Sequence, residues 1–281
     1  MFEFKDLTIA YFSMEIGIDA TIPTYSGGLG ILAGDTLRSC ADLKLPVIGI
    51  TLVYNKGYFT QEIDKHGNQL EHEVSWDPDA FLQAMPQEAE VTIEGRPVRI
   101  KAWLYNLIGI SGQVNPVIFL DTDVTGNSDY DKMITHHLYG HDDKYRLTQE
   151  IILGIGGVRM LESLGCTGIR KYHMNEGHSA LLAIELYNRF SKIRYPVDEV
   201  RKRCVFTTHT PVPAGHDQFP KELAEKMLGE NIHPKIRKEV FFNDKLNMTY
   251  LGLRFSEFIN GVAKKHGEVS RSMFPGYQIE S

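Results

Sequence analysis

Three short runs carry side chains, or lack them, in ways suited to binding and acid–base chemistry. In HMNEGHSALLAIEL, residues 173–186, Asn175, Glu176 and His178 stand where a strand-like segment passes into a helix-like one. A polar cluster at the carboxyl end of a strand is a ligand-site candidate in an open α/β sheet. Asn175 or Ser179 could equally serve as a helix cap. In FTTHTPVPAGHDQFP, residues 206–220, His209 follows another strand, and two prolines hold the loop extended. An imidazole on such a loop can hydrogen-bond a substrate hydroxyl through either ring nitrogen.

The third run is SGGLG, residues 26–30, at the mouth of a helix-like segment. Gly27, Gly28 and Gly30 leave the backbone bare around Leu29, which lets a ligand approach closely. The following helix offers free N–H groups and a positive dipole end to phosphate or sugar oxygens. Gly28-x-Gly30-x-x-x-Gly34 approximates a dinucleotide fingerprint. That fingerprint should follow its strand directly and be answered by an acid about 20 residues on. Neither condition is met, and a plain tight turn remains a competing reading.

Metal binding is a further alternative. His209, His216 and Asp217 are close in sequence, and His136, His137, His141, His173 and His178 could add ligands. None shows an HExxH-like spacing, and a hydrolytic zinc site needs three placed ligands and an open position. HHLYGHDDK, residues 136–144, reads as a solvated helix entrance.

These residues need a scaffold, and its class is legible. LTIAYFSME (7–15), PVIGITLVY (46–54), PVIFLDTD (116–123), RKYHMN (170–175) and RCVFTTHT (203–210) read as buried parallel strands. Helical patterns cover 30–44, 143–164, 178–192, 198–203 and 220–229, with Gly165 as a stop. Gly154, Gly156 and Gly157 weaken the long one. Alternating strands and helices predict a Rossmann-like α/β domain with a mostly parallel sheet flanked by helices. Residues 89–108 read instead as a hairpin turned at Glu94–Gly95, added antiparallel to that sheet. Residues 245–272 read as helices, followed by a turn at Phe274–Tyr277.

The chain has 281 residues, 42% of them hydrophobic, enough to bury roughly 75% of the unfolded surface. A formal charge of −6 argues against a nonspecific nucleic-acid binder. Cys40, Cys166 and Cys204 form no CxxC and read as reduced, mostly buried thiols. No basic, apolar leader and no membrane-length apolar run is present, so a soluble cytoplasmic protein is expected.

In YFSMEI (11–16), SGGLGILAGDTLRS (26–39), the segment from Gly57 to Gln61, HMNEGHSA (173–180), THTPVPAGHD (208–217) and VAKKHGEVSR (262–271), the sequence resembles the α-glucan phosphorylases, the glycogen and starch phosphorylase family. Order and spacing agree across nearly the whole chain. The resemblance implies the N-terminal half of a two-domain glycosyltransferase-B fold, with the substrate cleft between two Rossmann-like domains. It implies phosphorolysis of terminal α-1,4-linked glucose to glucose 1-phosphate with retention, with pyridoxal phosphate as cofactor. Gly27, Gly28, Leu29 and Gly30 match the family's glycine loop beside glucosyl and phosphate groups. His209 matches its histidine near the glucose 6-hydroxyl. Asn175, Glu176 and His178 match a supporting motif, with Glu176 where many members carry aspartate.

The family's cofactor lysine and phosphate-clamping residues belong to the C-terminal domain, which nothing in residues 1–281 matches. The chain alone is therefore expected to be inactive, and a homodimer is possible by resemblance. It is also expected to be closer to the shorter bacterial or archaeal type. A glycogen or starch synthase-like glucosyltransferase, which shares the fold and a similar turn, stays open, as does a noncatalytic carbohydrate-binding domain. No paired carboxylates stand out as acid and nucleophile, so an ordinary glycosidase fits less well.

Overall fold

The computed structural model describes residues 3–139, 142–210, 212 and 215–281. Its elements in chain order begin with β1 (Ile9–Ser13), α1 (Gly28–Asp42) and β2 (Val47–Leu52). A small hairpin, β3 (Phe59–Ile63) and β4 (Gln69–Glu73), precedes the long β5 (Gln83–Ile93), β6 (Arg96–Ile108) and β7 (Val114–Asp121). Next come α2 (Asp129–Lys132), α3 (Asp143–Ile151) and, after a π-helical turn at Ile152–Gly156, α4 (Gly157–Ser163). β8 (Lys171–Asn175), α5 (Leu182–Phe190), α6 (Pro196–Arg203) and β9 (Cys204–Thr208) follow. The remainder is β10 (Gln218–Pro220), α7 (Lys221–Leu228), α8 (Arg237–Val240), β11 (Phe241–Phe242), β12 (Lys245–Asn247), α9 (Met248–Arg254), β13 (Phe258–Gly261) and α10 (Lys264–Met273).

Among the described residues, eight strands form the main sheet in the order β13-β9-β8-β1-β2-β7-β6-β5. All neighbouring pairs from β13 to β7 are parallel, and β6 and β5 add antiparallel at one edge. The five strands anticipated in the sequence are therefore all present, and the predicted hairpin sits where expected. Its turn places Glu94 at φ 50° and Gly95 at φ 75°. Positive φ at both central residues is the twist-matched geometry of a two-residue hairpin.

The strands read as continuous apolar runs because both sheet faces are covered. Every residue of β2 is buried. Alternate side chains feed two cores: Tyr11, Val117 and Phe119 pack with Ala33 and Leu37 of α1. Phe12, Ile118 and Leu120 pack on the opposite side with Leu147, Ile151 and Val158 of the α3–α4 layer. At about 25 cal/mol per Å² of apolar area, these two layers supply the main drive to fold.

The β5 edge is closed by side chains rather than by another strand. Ser163 Oγ donates to Glu88 O at 2.8 Å, Arg159 to Glu90 O at 3.1 Å and Asn231 Nδ2 to Thr92 O at 2.8 Å. Three outward carbonyls in alternate register are thus unavailable to a foreign strand, a protection that long edges need.

The C-terminal segment departs from the sequence reading. Within 245–272, α9 and α10 are helical, but Lys245–Asn247 and Phe258–Gly261 are strands. Phe258–Gly261 pairs in parallel with β9. Its four residues are too few for a periodicity to distinguish it from the helices on either side. The three cysteines are free, with Cys166 and Cys204 buried and Cys40 half-buried.

Candidate active-site crevice

The chain leaves β1 through α1 to β2 on one side and later returns to β8 on the other. The sheet order therefore reverses between β1 and β8, which is where open α/β sheets bind ligands beyond the strand carboxyl ends. Ser13 ends β1 and is in register with Asn175, which ends β8; Asn175 in turn pairs with Thr207 of β9. Glu15 lies two residues beyond Ser13, Glu176 directly follows Asn175, and His209 directly follows Thr208, the last residue of β9.

Glu15 holds the glycine turn. Its buried carboxylate accepts the Ser26 amide at 2.6 Å and the Gly27 amide at 3.3 Å through Oε2, while Oε1 accepts the Tyr139 hydroxyl. The four glycines have separate roles. A Cβ on Gly34 would lie 2.0 Å from Gly17 O, and one on Gly30 would lie 2.5 Å from Tyr25 Cβ. Both positions are bare because α1 packs tightly against the loop after β1. A Cβ on Gly27 or Gly28 would meet nothing within 4 Å, and both residues are exposed. Gly30 thus belongs to the packing, whereas Gly27 and Gly28 present open backbone. Leu29, between Gly28 and Gly30, is half-buried.

On the other wall, Glu176 organises the backbone after β8 and β9. Its Oε1 accepts Gly177 N at 3.0 Å, and Oε2 accepts His209 N at 2.7 Å and Thr210 N at 3.0 Å. Burial raises its carboxyl pKa, with those three amides pulling the other way. Glu176 sits at φ 73°, a costly conformation for a side-chain-bearing residue that concentrates at functional positions. Neither capping alternative is used: Asn175 instead bridges Ser13 Oγ and His209 Nε2. Ser179 Oγ donates back to Glu176 O at 3.2 Å.

His178 is buried, and its Nε2 lies 3.4 Å from Asp217 Oδ2. Burial, then the Arg146 charge, lowers its pKa to about 3, so the ring is neutral. Arg146 joins Asp217 at 2.9 Å and Glu150 at 3.2 Å, and stacks 4.3 Å from the Tyr139 ring. Glu150 is fully buried; burial and the Asp217 charge push its carboxyl well up against the pull of Arg146. Tyr139 also meets the His178 ring edge-on at 6.0 Å. The two walls are thus linked through Glu15, Tyr139, Arg146, Asp217 and His178. Tyr139, Arg146 and Glu150 lie in none of the motifs that carry the resemblance, and Glu15 lies in one, YFSMEI, without being singled out as a site residue.

Two of the other histidines, His173 and His216, have hydroxyl partners that make packing sense. His173 Nε2 meets Thr207 Oγ1 at 2.7 Å, and its ring sits edge-on to Tyr11. His216 Nδ1 meets Thr249 Oγ1 at 2.8 Å. Among the described residues no three His, Cys, Asp or Glu side chains are placed to hold a metal, and His141 lies outside them. Within 136–144, Asp142 does cap α3 by accepting Tyr145 N at 2.8 Å. Leu138 before it is buried rather than solvated.

The chain is similar to known proteins along nearly its whole length. Residues 18–139 match a family model described as carbohydrate phosphorylase. The chain is 40% identical to the maltodextrin phosphorylase of Thermococcus litoralis, over 95% of this chain and 33% of that protein. It is 37% identical to a glycogen phosphorylase of Mycobacterium tuberculosis, over 95% of this chain and 34% of that protein. Identity to the glycogen phosphorylase of Aquifex aeolicus is 30%, over 95% and 41% respectively. The chain spans about a third of the length of the first two of these relatives. Nearly all of its residues align with phosphorylases, and its mostly parallel, helix-flanked sheet is the one the resemblance implies.

Proposed function

We propose that residues 1–281 form the N-terminal, glucan-binding side of an α-1,4-glucan phosphorylase. The complete enzyme would release terminal glucose as glucose 1-phosphate with its configuration retained. The carrying observation is that Ser13 and Glu15, at the carboxyl end of β1, are hydrogen-bonded to both candidate segments: Ser13 to His209 through Asn175, and Glu15 to the amides of Ser26 and Gly27. A bare turn lets sugar and phosphate come against the backbone, and a loop-fixed imidazole orients a ring hydroxyl. Fixing the sugar and placing phosphate beside developing positive charge is the source of rate in such a reaction. Glu176 and Asn175 hold His209, and His178 supports the wall behind it.

Pyridoxal phosphate does not fit the residues gathered here. Ser13, Glu15, Tyr139, Asn175, Glu176, His178 and His209 include no amine that could carry it, so this crevice takes no step through the cofactor. In this proposal the cofactor and its lysine belong to a C-terminal domain that faces the crevice. No helix among the described residues is long and apolar enough to cross a membrane.

Titration of the purified chain with maltoheptaose, beside a glucose 1-phosphate assay with phosphate and pyridoxal phosphate, tests the proposal. Maltoheptaose binding without turnover is expected. Failure to bind it, or preferential binding of a nucleotide sugar, would overturn the reading in favour of a synthase-like or unrelated protein. Robust turnover by these residues alone would overturn the assignment of the cofactor to another domain.

A further inference from the structure

We infer that Ser13 and Asn175 are positioning residues that set the tautomer of His209, protonated at Nε2 and bare at Nδ1, so that the imidazole meets a sugar hydroxyl as an acceptor. The sugar rests on the function proposed above; the tautomer does not.

The argument is one of donors and acceptors along a buried line. Ser13 Oγ lies 2.6 Å from the carbonyl oxygen of Glu15. A carbonyl only accepts, so the single hydroxyl proton of Ser13 points there. Toward Asn175, 3.0 Å away, Ser13 Oγ is then an acceptor, and the atom facing it must be the amide nitrogen Nδ2. That orientation turns Asn175 Oδ1 toward His209, where it contacts Nε2. An amide oxygen also only accepts, so Nε2 carries the proton. A neutral imidazole has one N–H, which leaves Nδ1 as a lone-pair acceptor. Reversing the amide would set two acceptors, the Asn175 oxygen and the Glu15 carbonyl, against one serine proton. It would also place a buried N–H donor beside Nε2. Ser13 and Asn175 are 0% and 1% exposed, so water does not relax the rule.

Two further observations make the tautomer consequential. Glu176 pins the His209 amide, so the ring cannot escape the line by moving the loop. Burial, then the neighbouring His266, lowers the His209 pKa to about 4, which leaves the ring neutral at pH 7. A neutral ring offers a hydroxyl either a donor or an acceptor at a given nitrogen, never both.

The test uses the whole chain labelled with 15N-histidine, because protonated and bare imidazole nitrogens resonate far apart. The wild type is expected to show a single tautomer with Nε2 protonated. Ser13→Ala removes the one-way donor and frees the Asn175 amide to turn. A signal from Nδ1–H should then appear, and maltoheptaose affinity should fall about 3- to 10-fold, the weight of one neutral hydrogen bond. Asn175→Asp sets a carboxylate against Nε2–H and should raise the His209 pKa toward the ordinary imidazole range. A wild-type spectrum with Nδ1 protonated overturns the inference. So does a folded Ser13→Ala protein that keeps the wild-type tautomer. Should Ser13→Ala fail to fold, the wild-type spectrum and the Asn175→Asp titration still decide. A wild type with the stated tautomer but no affinity for maltoheptaose would sink the functional reading and leave the tautomer assignment standing.

Discussion

Glu15 and Tyr139, 124 residues apart, share a hydrogen bond in which the phenol donates to a buried carboxylate whose other oxygen holds the backbone of the glycine turn. Burial and the adjacent carboxylate raise the phenol pKa well above its usual value, so it remains a donor. Tyr139→Phe would leave Glu15 Oε1 without this partner, at a cost of about 1–3 kcal/mol. The turn should loosen with it. Faster amide exchange at Ser26 and Gly27, with protection elsewhere in α1 retained, is the expected outcome. Unchanged exchange at those two amides would show that Glu15 holds the turn without help.

The glycines of the turn and helix should respond in opposite ways. Gly34→Ala forces a methyl to 2.0 Å from Gly17 O and should destabilise the domain by several kcal/mol, comparable to severe overpacking. Gly28→Ala meets nothing in the protein and should leave the melting temperature within a few degrees of wild type. In the proposed function its methyl would nonetheless stand on backbone that meets the ligand, and maltoheptaose affinity should drop about tenfold or more, roughly 1.4 kcal/mol. Paired melting curves and titrations check this. Equal affinity in Gly28→Ala would remove the turn from the binding site.

Asn231 closes the exposed edge of the sheet. Its amide nitrogen lies 2.8 Å from both Thr92 O and Leu228 O, and its oxygen accepts from Arg159 at 3.2 Å. Asn231→Ala should cost about 1–3 kcal/mol in urea unfolding, because buried groups lose their partners. It should also raise the tendency of β5 to pair with other chains, which light scattering on concentrated protein would detect.

Acid stability should depend on Glu94. Burial opposes ionisation, but Lys144, Lys226 and Arg96 donate to the carboxylate and bring its pKa down from 4.5 to about 2. A folded value below the unfolded one stabilises the protein above pH 4.5, and that contribution is lost as pH falls toward 2. Glu94→Gln should therefore lower the melting temperature at pH 7, with the gap to wild type narrowing steadily below about pH 4.5. A gap that stays constant down to pH 2 would assign the effect to shape rather than charge.

The local code of the sequence determined the five central parallel strands, most of the helices, the Glu94–Gly95 hairpin and the polar residues that lie at strand ends. Apolar runs, glycine stops and turn chemistry act over a few residues, so they are readable without knowing what packs against them. The tertiary structure decided the strand order, which sets the reversal between β1 and β8, and assigned Phe258–Gly261 to the sheet despite its helical flanks. It also separated Gly30 from Gly27 and Gly28, a distinction that depends on Tyr25 and Glu15 standing beside one glycine and nothing beside the others. The same holds for the partners of the site. Tyr139, Arg146 and Asp217 converge on Glu15 and His178 because distant segments are brought together in a low-dielectric interior, where each buried polar group needs a partner that sequence distance does not specify.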